Sequence, residues 1–139
     1  MPHPSPTCAI LADRHTALSE GIRGLLETTF QTVYTVANEK TLKEGAQRLL
    51  PSLIVLDLSL EADSLKYLLK EIHELSPNSP VMVLSIHDQA TVARTAMGYG
   101  AKSVVLKRSI GTDFLDAVSA ILRGEQYISP GFGLNAPVN

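Results

Sequence analysis

Cysteine is almost absent from this sequence. Cys8 is the only one in 139 residues, so no intramolecular disulfide can form, and the chain suits a reducing, cytoplasmic setting. Cys8 stands in an apolar stretch and reads as a small core residue rather than a nucleophile. Charge is also sparse: Asp, Glu, Lys and Arg make up 19% of the residues and the net charge is -2. Broad electrostatic attraction to nucleic acid or anionic lipid is therefore not expected. No apolar run approaches the length of a membrane span. The opening Met1-Pro2-His3-Pro4-Ser5-Pro6 lacks the basic and apolar regions of a signal peptide, and residues 1–6 are expected to be disordered. No His/Cys spacing suggests a zinc site, and no internal repeat is visible.

Apolar residues, by contrast, are plentiful, at 45%, which suffices for one ordinary domain with a sizeable core. They come in short runs that alternate with helical patterns. Leu53-Ile54-Val55-Leu56-Asp57 reads as a strand buried on both faces that ends on a carboxylate. Residues 7–12 form a similar run ending at Asp13, and Val33 to Ala37 make a β-branched and aromatic second strand. Val81 to Leu84 end at Ser85, and Ser103 to Leu106 end at Lys107. Between these runs, apolar residues recur at helical spacing over about 16–28, after the potential cap Asn38 (Leu42, Ala46, Leu49), and after Ser64 (Leu65, Leu68, Leu69, Ile72, Leu75). The helix over about 90–98 has the weakest buried face, Ala93, Ala96 and Met97. The last helix carries Phe114, Leu115, Val118, Ile121 and Leu122, and Gly124 stops it.

Five alternations of strand and helix mean a parallel sheet with helices on both faces. Right-handed crossovers favour an α/β, flavodoxin-like (βα)5 doubly wound sheet of order 2-1-3-4-5. The domain is expected over residues 7–125. Residues 126–139, rich in Gly and Pro, read as a linker or tail toward an output domain missing from this chain.

In such a sheet the strand ends share one edge, where ligands and chemistry gather. That edge would hold Asp13 with Arg14, Asp57, Ser85 and Lys107. A strand-end Asp alone can be no more than a turn cap. Together, the set suits phosphoryl transfer. One carboxylate can attack phosphorus and form an acyl phosphate, a second can help to hold Mg²⁺, and a hydroxyl and an ammonium can neutralise phosphoryl oxygens.

Over roughly residues 7–129 the sequence resembles a bacterial two-component response-regulator receiver domain. The residues that carry this are Ile10-Leu11-Ala12-Asp13-Arg14-His15, Leu53 to Asp57, Val83-Leu84-Ser85 and Gly100 to Lys107. Ala117 to Pro130 is similar to the end of receivers that precede a LuxR-type helix-turn-helix domain. The resemblance implies a cytoplasmic phosphorelay protein that controls transcription, a switch rather than an enzyme. It implies that Asp57 accepts the phosphoryl group from a histidine kinase and that Ser85 and Lys107 contact its oxygens. It also implies that Asp13, Asp57 and the backbone carbonyl of Ser59 hold Mg²⁺. A homodimer through the fourth helix, fifth strand and fifth helix would be its usual assembly, and DNA would be bound only through the missing output domain.

The sequence departs from the family pattern in four places. Arg14 replaces the second acid after the first strand, and an ever-present cation there should weaken Mg²⁺ binding. It could also stand where the metal would and pair with Asp57. Val104 replaces the aromatic that rotates in the family's switch. Leu60-Glu61 replaces Met-Pro, and Arg108 replaces a proline. Arg14 and Val104 support an alternative reading, a phosphorylation-independent module for protein interaction or dimerisation. An aspartyl-nucleophile hydrolase fits less well, because the position two after the nucleophile is Ser59 and a general acid is wanted there. His15 reads as a helix cap or packing residue, and Tyr127 as packing at the end of the last helix.

Overall fold

A computed structural model describes residues 7–13, 16–58 and 65–133, the backbone alone at 16–19. Its elements are β1 (Cys8–Ala12), α1 (Thr16–Glu27), β2 (Thr32–Val36), α2 (Glu39–Leu49), β3 (Leu53–Asp57), α3 (Leu65–Leu75), β4 (Val81–Ser85), α4 (Ala90–Gly98), β5 (Ser103–Leu106), α5 (Ile110–Leu122) and β6 (Tyr127–Ile128), with a 3-10 turn over Lys107–Ser109 and another over Pro130–Phe132. The sheet is parallel in the order β2-β1-β3-β4-β5-β6. The doubly wound fold expected from the alternation is present, with one strand more than expected.

Every residue of β1, β3, β4 and β5 is buried, because both sheet faces are covered. Alternate strand residues feed two cores. Ile10, Ile54, Leu56, Val83 and Val104 pack with α2, α3 and α4 through Leu42, Ala46, Leu68, Ile72, Ala93 and Ala96. Leu11, Val55, Leu84 and Val105 pack with α1 and α5 through Ile22, Leu26, Phe114, Val118 and Ile121.

Local chemistry sets the boundaries. The Asn38 side chain accepts from the Thr41 N–H at 2.9 Å and starts α2. Leu50 closes that helix in the left-handed region at φ 46, and Pro51 cannot continue it. Gly100, at φ 109, turns the chain out of α4 while the Ala101 N–H reaches back to the Ala96 carbonyl. The weak buried face of α4 is sufficient: Ala93 and Ala96 are fully buried and Met97 is half-buried against them. The Ser64 cap falls outside the described residues.

Three expectations need correction. The second strand begins and ends one residue earlier than read. Leu115 and Leu122, assigned to the apolar face of α5, are 43% and 41% exposed, and Leu49 of α2 is 38% exposed; the α5 face is completed instead by Ala117 and Ala120, so small residues bring the helix close to the sheet. Residues 126–133 are not merely a tail, because β6 pairs with β5 and both Ser129 and Phe132 are buried. Pro130 and Gly131 form a tight turn over the sheet edge; residues 134–139 lie outside the described residues.

Candidate functional site

β1 and β3 run in register, Ala12 beside Leu56, so Asp13 and Asp57 come next to each other at the carboxyl edge. Both follow the alternation of the residues that face α1 and α5. Asp13 is 3% exposed and Asp57 1%. β4 lies between β3 and β5, yet the long Lys107 side chain crosses that gap. Its Nζ donates to Asp57 Oδ2 at 2.6 Å, and the lysine side chain is 12% exposed. A contact this short between two nearly dry charges is a charge-assisted hydrogen bond. It offsets the cost of burying the carboxylate, which alone would be large.

Ser85 ends β4 on the other phase of the alternation, with Val81 and Val83. Its hydroxyl donates to the His87 carbonyl at 2.9 Å and accepts from the His87 N–H at 3.0 Å. It therefore pins the start of the β4–α4 loop. The same loop is tied at its surface by Arg108, which donates to Asp88 at 2.9 Å; both side chains are at least half exposed, so this pair adds little. Of the residues picked from the sequence, Asp13, Asp57 and Lys107 are gathered on one edge, with Ser85 beside them but engaged with its own loop. Val104 is fully buried in the core under α4. Arg14, Ser59, Glu61 and His15 lie outside the described residues. Among the described residues no group of three or more His, Cys, Asp or Glu is placed to hold a metal.

Sequence reasoning missed Ser129. Its hydroxyl accepts from the buried Leu106 N–H at 3.1 Å, one residue before Lys107. The one hint was a β-branched and aromatic pair, Tyr127-Ile128, ahead of Ser129-Pro130. Cys8 behaves as a core residue: burial pushes its thiol above the ordinary value, partly offset by the Ser52 backbone. Tyr127 is also pushed up, first by burial and then by the carboxylates of Asp113 and Asp116. A cavity of about 410 Å³ lined by Lys70, His73, Tyr99 and Lys102 lies at the opposite edge. α3 and α4 both end there. Among the described residues no helix is long and apolar enough to cross a membrane.

Comparison with known proteins gives one consistent picture. The family model described as "Response regulator receiver domain" matches residues 9–119. The methanol utilization control regulatory protein MoxX of Paracoccus denitrificans is 25% identical over 128 residues, 88% of this chain and 56% of that protein. The nitrate/nitrite response regulator protein NarL of Escherichia coli is 28% identical over 131 residues, 93% of this chain and 61% of that protein. The chain thus spans little more than half the length of these curated relatives. Among solved structures, a LuxR-family two-component response regulator from Aurantimonas sp. SI85-9A1 superposes with a TM-score of 0.84 at 24% identity, over 93% of this chain and 94% of that one; this likeness concerns the fold.

Proposed function

The chain belongs to the response regulator receiver family, and on that premise we propose that Asp57 accepts a phosphoryl group from a partner histidine kinase. The observation that carries this reading is the Asp57–Lys107 contact at 2.6 Å on a carboxylate that is 1% exposed. A structural ion pair at a sheet edge needs no such burial at the mouth of a parallel sheet, where chemistry gathers. A carboxylate oxygen of Asp57 attacks phosphorus. The bond from phosphorus to the donor breaks, and an acyl phosphate forms. Lys107 then shifts its ammonium from the carboxylate to the phosphoryl oxygens. Ser85 can join it only by giving up the His87 carbonyl, which would release the β4–α4 loop.

Two adjacent carboxylates form an oxygen donor set that suits Mg²⁺, a cation that keeps several waters. Asp13 and Asp57, with the Ser59 backbone carbonyl, would hold it, and when bound it would neutralise charge on the incoming phosphoryl group. Arg14, in place of a second acid, weakens that binding in this reading. In this reading, control of transcription is exerted through an output domain. A second copy would meet the α4–β5–α5 face, where Leu115 and Leu122 are exposed on α5 and β6 occupies the outer edge of β5.

The alternative, an interaction module that works without phosphate, is favoured by Arg14 and by the engagement of the Ser85 hydroxyl with His87. Intact mass after incubation with acetyl phosphate and Mg²⁺ separates the two. The expected result is a phosphate-sized gain that is absent in Asp57→Asn and more extensive in Arg14→Asp. No gain in either the natural chain or Arg14→Asp would sink the acceptor reading and leave the module.

A further inference from the structure

We propose that Ser129 is a positioning residue for Lys107, and that the segment from Tyr127 to Phe132 is a latch through which the state of Asp57 is felt outside the site. The second half rests on the reading of Asp57 as phosphoryl acceptor; the first does not.

β6 pairs with β5 for two residues only. The Tyr127 N–H donates to the Lys102 carbonyl at 3.1 Å, and the Ser129 N–H donates to the Val104 carbonyl at 2.9 Å. The next donor facing that edge is the Leu106 N–H. In an unbroken parallel ladder it would find a backbone carbonyl. Here the chain turns away at Ser129, toward the 3-10 turn at Pro130, and the Ser129 hydroxyl takes the rung at 3.1 Å instead. Ser129 is fully buried and Leu106 is 1% exposed. Without the hydroxyl, a buried N–H would be left with no acceptor, which is more costly than an ordinary lost hydrogen bond.

This rung is the last fixed point of β5. Immediately after it the chain winds into the 3-10 turn that begins at Lys107. The backbone on which Lys107 stands is therefore held from one side by Ser129 and from the other by the turn into α5. The latch also grips both sequence neighbours of Lys107. Phe132 is 3% exposed and packs in the same core cluster as Val104 and Leu106. Gly131 lies so close that a Cβ there would run into the Leu106 side chain and would come within 3.1 Å of the Arg108 guanidinium. Lys107 in turn reaches Asp57 at 2.6 Å. Lys107 is thus tied through its side chain to Asp57 and through its backbone neighbour Leu106 to Ser129, so a change at Asp57 draws on all three.

Amide hydrogen exchange on the 139-residue chain, with Lys107→Met, tests the coupling. The Leu106 and Ser129 amides should exchange about tenfold faster than in the natural chain, equivalent to ~1.4 kcal/mol, with Leu11 in β1 as an unmoved reference. A purely structural serine on the far side of β5 would not register the loss of that ammonium. In parallel, Ser129→Ala should slow labelling by acetyl phosphate severalfold, read by intact mass, with Ser129→Thr restoring it. Unchanged exchange at Leu106 and Ser129 overturns the proposal, and this arm is readable even if Asp57 takes up no phosphate or Ser129→Ala fails to fold. Labelling of Ser129→Ala at the natural rate also overturns it, while leaving Asp57 as acceptor intact.

Discussion

Replacing Phe132 by alanine should cost this domain about 3 kcal/mol. The ring is 3% exposed in the core cluster shared with Val104 and Leu106. Removing a buried aromatic forfeits its transfer free energy and leaves a cavity, together about 3–5 kcal/mol. The lower end applies because Phe132 sits on a short 3-10 turn at the sheet edge, which can partly collapse. One further limit holds. The latch is tied by two backbone rungs, from Tyr127 and Ser129, and by the Ser129 side-chain bond. A weakened segment can simply detach, so the loss cannot exceed the free energy with which residues 126–133 dock. Deleting everything after Glu125 measures that docking energy directly, and it should cost at least as much as Phe132→Ala. With a urea slope of ~2 kcal/mol/M, a 3 kcal/mol loss moves the midpoint by about 1.5 M. Urea unfolding followed by far-UV circular dichroism reads this easily. If the chain ending at Glu125 unfolds within about 0.5 kcal/mol of the full chain, a margin set by the fit, the segment is an appendage, and the reasoning that joins it to the core is wrong.

Other perturbations probe the scaffold. Leu50→Gly should stabilise by about 0.5–1 kcal/mol, because Leu50 closes α2 at φ 46 and is 63% exposed; a lower denaturation midpoint would contradict this. Ser79→Ala should destabilise by about 1–3 kcal/mol, since the Ser79 hydroxyl donates to the Pro51 carbonyl at 2.5 Å and meets the Ser76 hydroxyl, all in the interior. Tyr127 is held above its ordinary value of 10.0, chiefly by burial and then by Asp113 and Asp116. A raised folded value keeps its stabilisation below the unfolded value and loses it as pH rises through the folded one. Asp113→Asn should therefore move the phenolate absorbance transition down toward the ordinary value, measured as the difference from Tyr127→Phe. No movement would mean that Asp113 does not act on the phenol.

The strands that carry the chemistry were legible because burial on both faces writes a continuous apolar run, and the carboxylate, hydroxyl or ammonium that ends the run marks its edge. Helical spacing located the helices for the same reason. It could not say which leucines of α5 face inward, because Leu115 and Leu122 sit at the margin of the stripe while Ala117 and Ala120 do the packing, and alanine carries almost no hydrophobic signal. β6 escaped because two residues are too few to show a period, and because Gly131 and Pro130, which mark loops in general, here permit close approach to Leu106. Positions at the strand ends told which groups would be near one another. They did not tell that Lys107 spans β4 to reach Asp57, nor that the Ser85 hydroxyl is taken by His87, since both depend on side-chain direction at the point where the regular alternation ends.

Asp57 and Lys107 stand fifty residues apart in the chain, at the carboxyl ends of strands that do not touch. No hairpin, single crossover or half-domain contains both. The pair exists only once β4 has been laid between β3 and β5, which is among the last pairings a chain emerging from its amino terminus can make. A nascent or partly unfolded molecule has Asp57 but not the ammonium that tames it. Under the proposed function, competence to accept a phosphoryl group is thus acquired together with the complete fold.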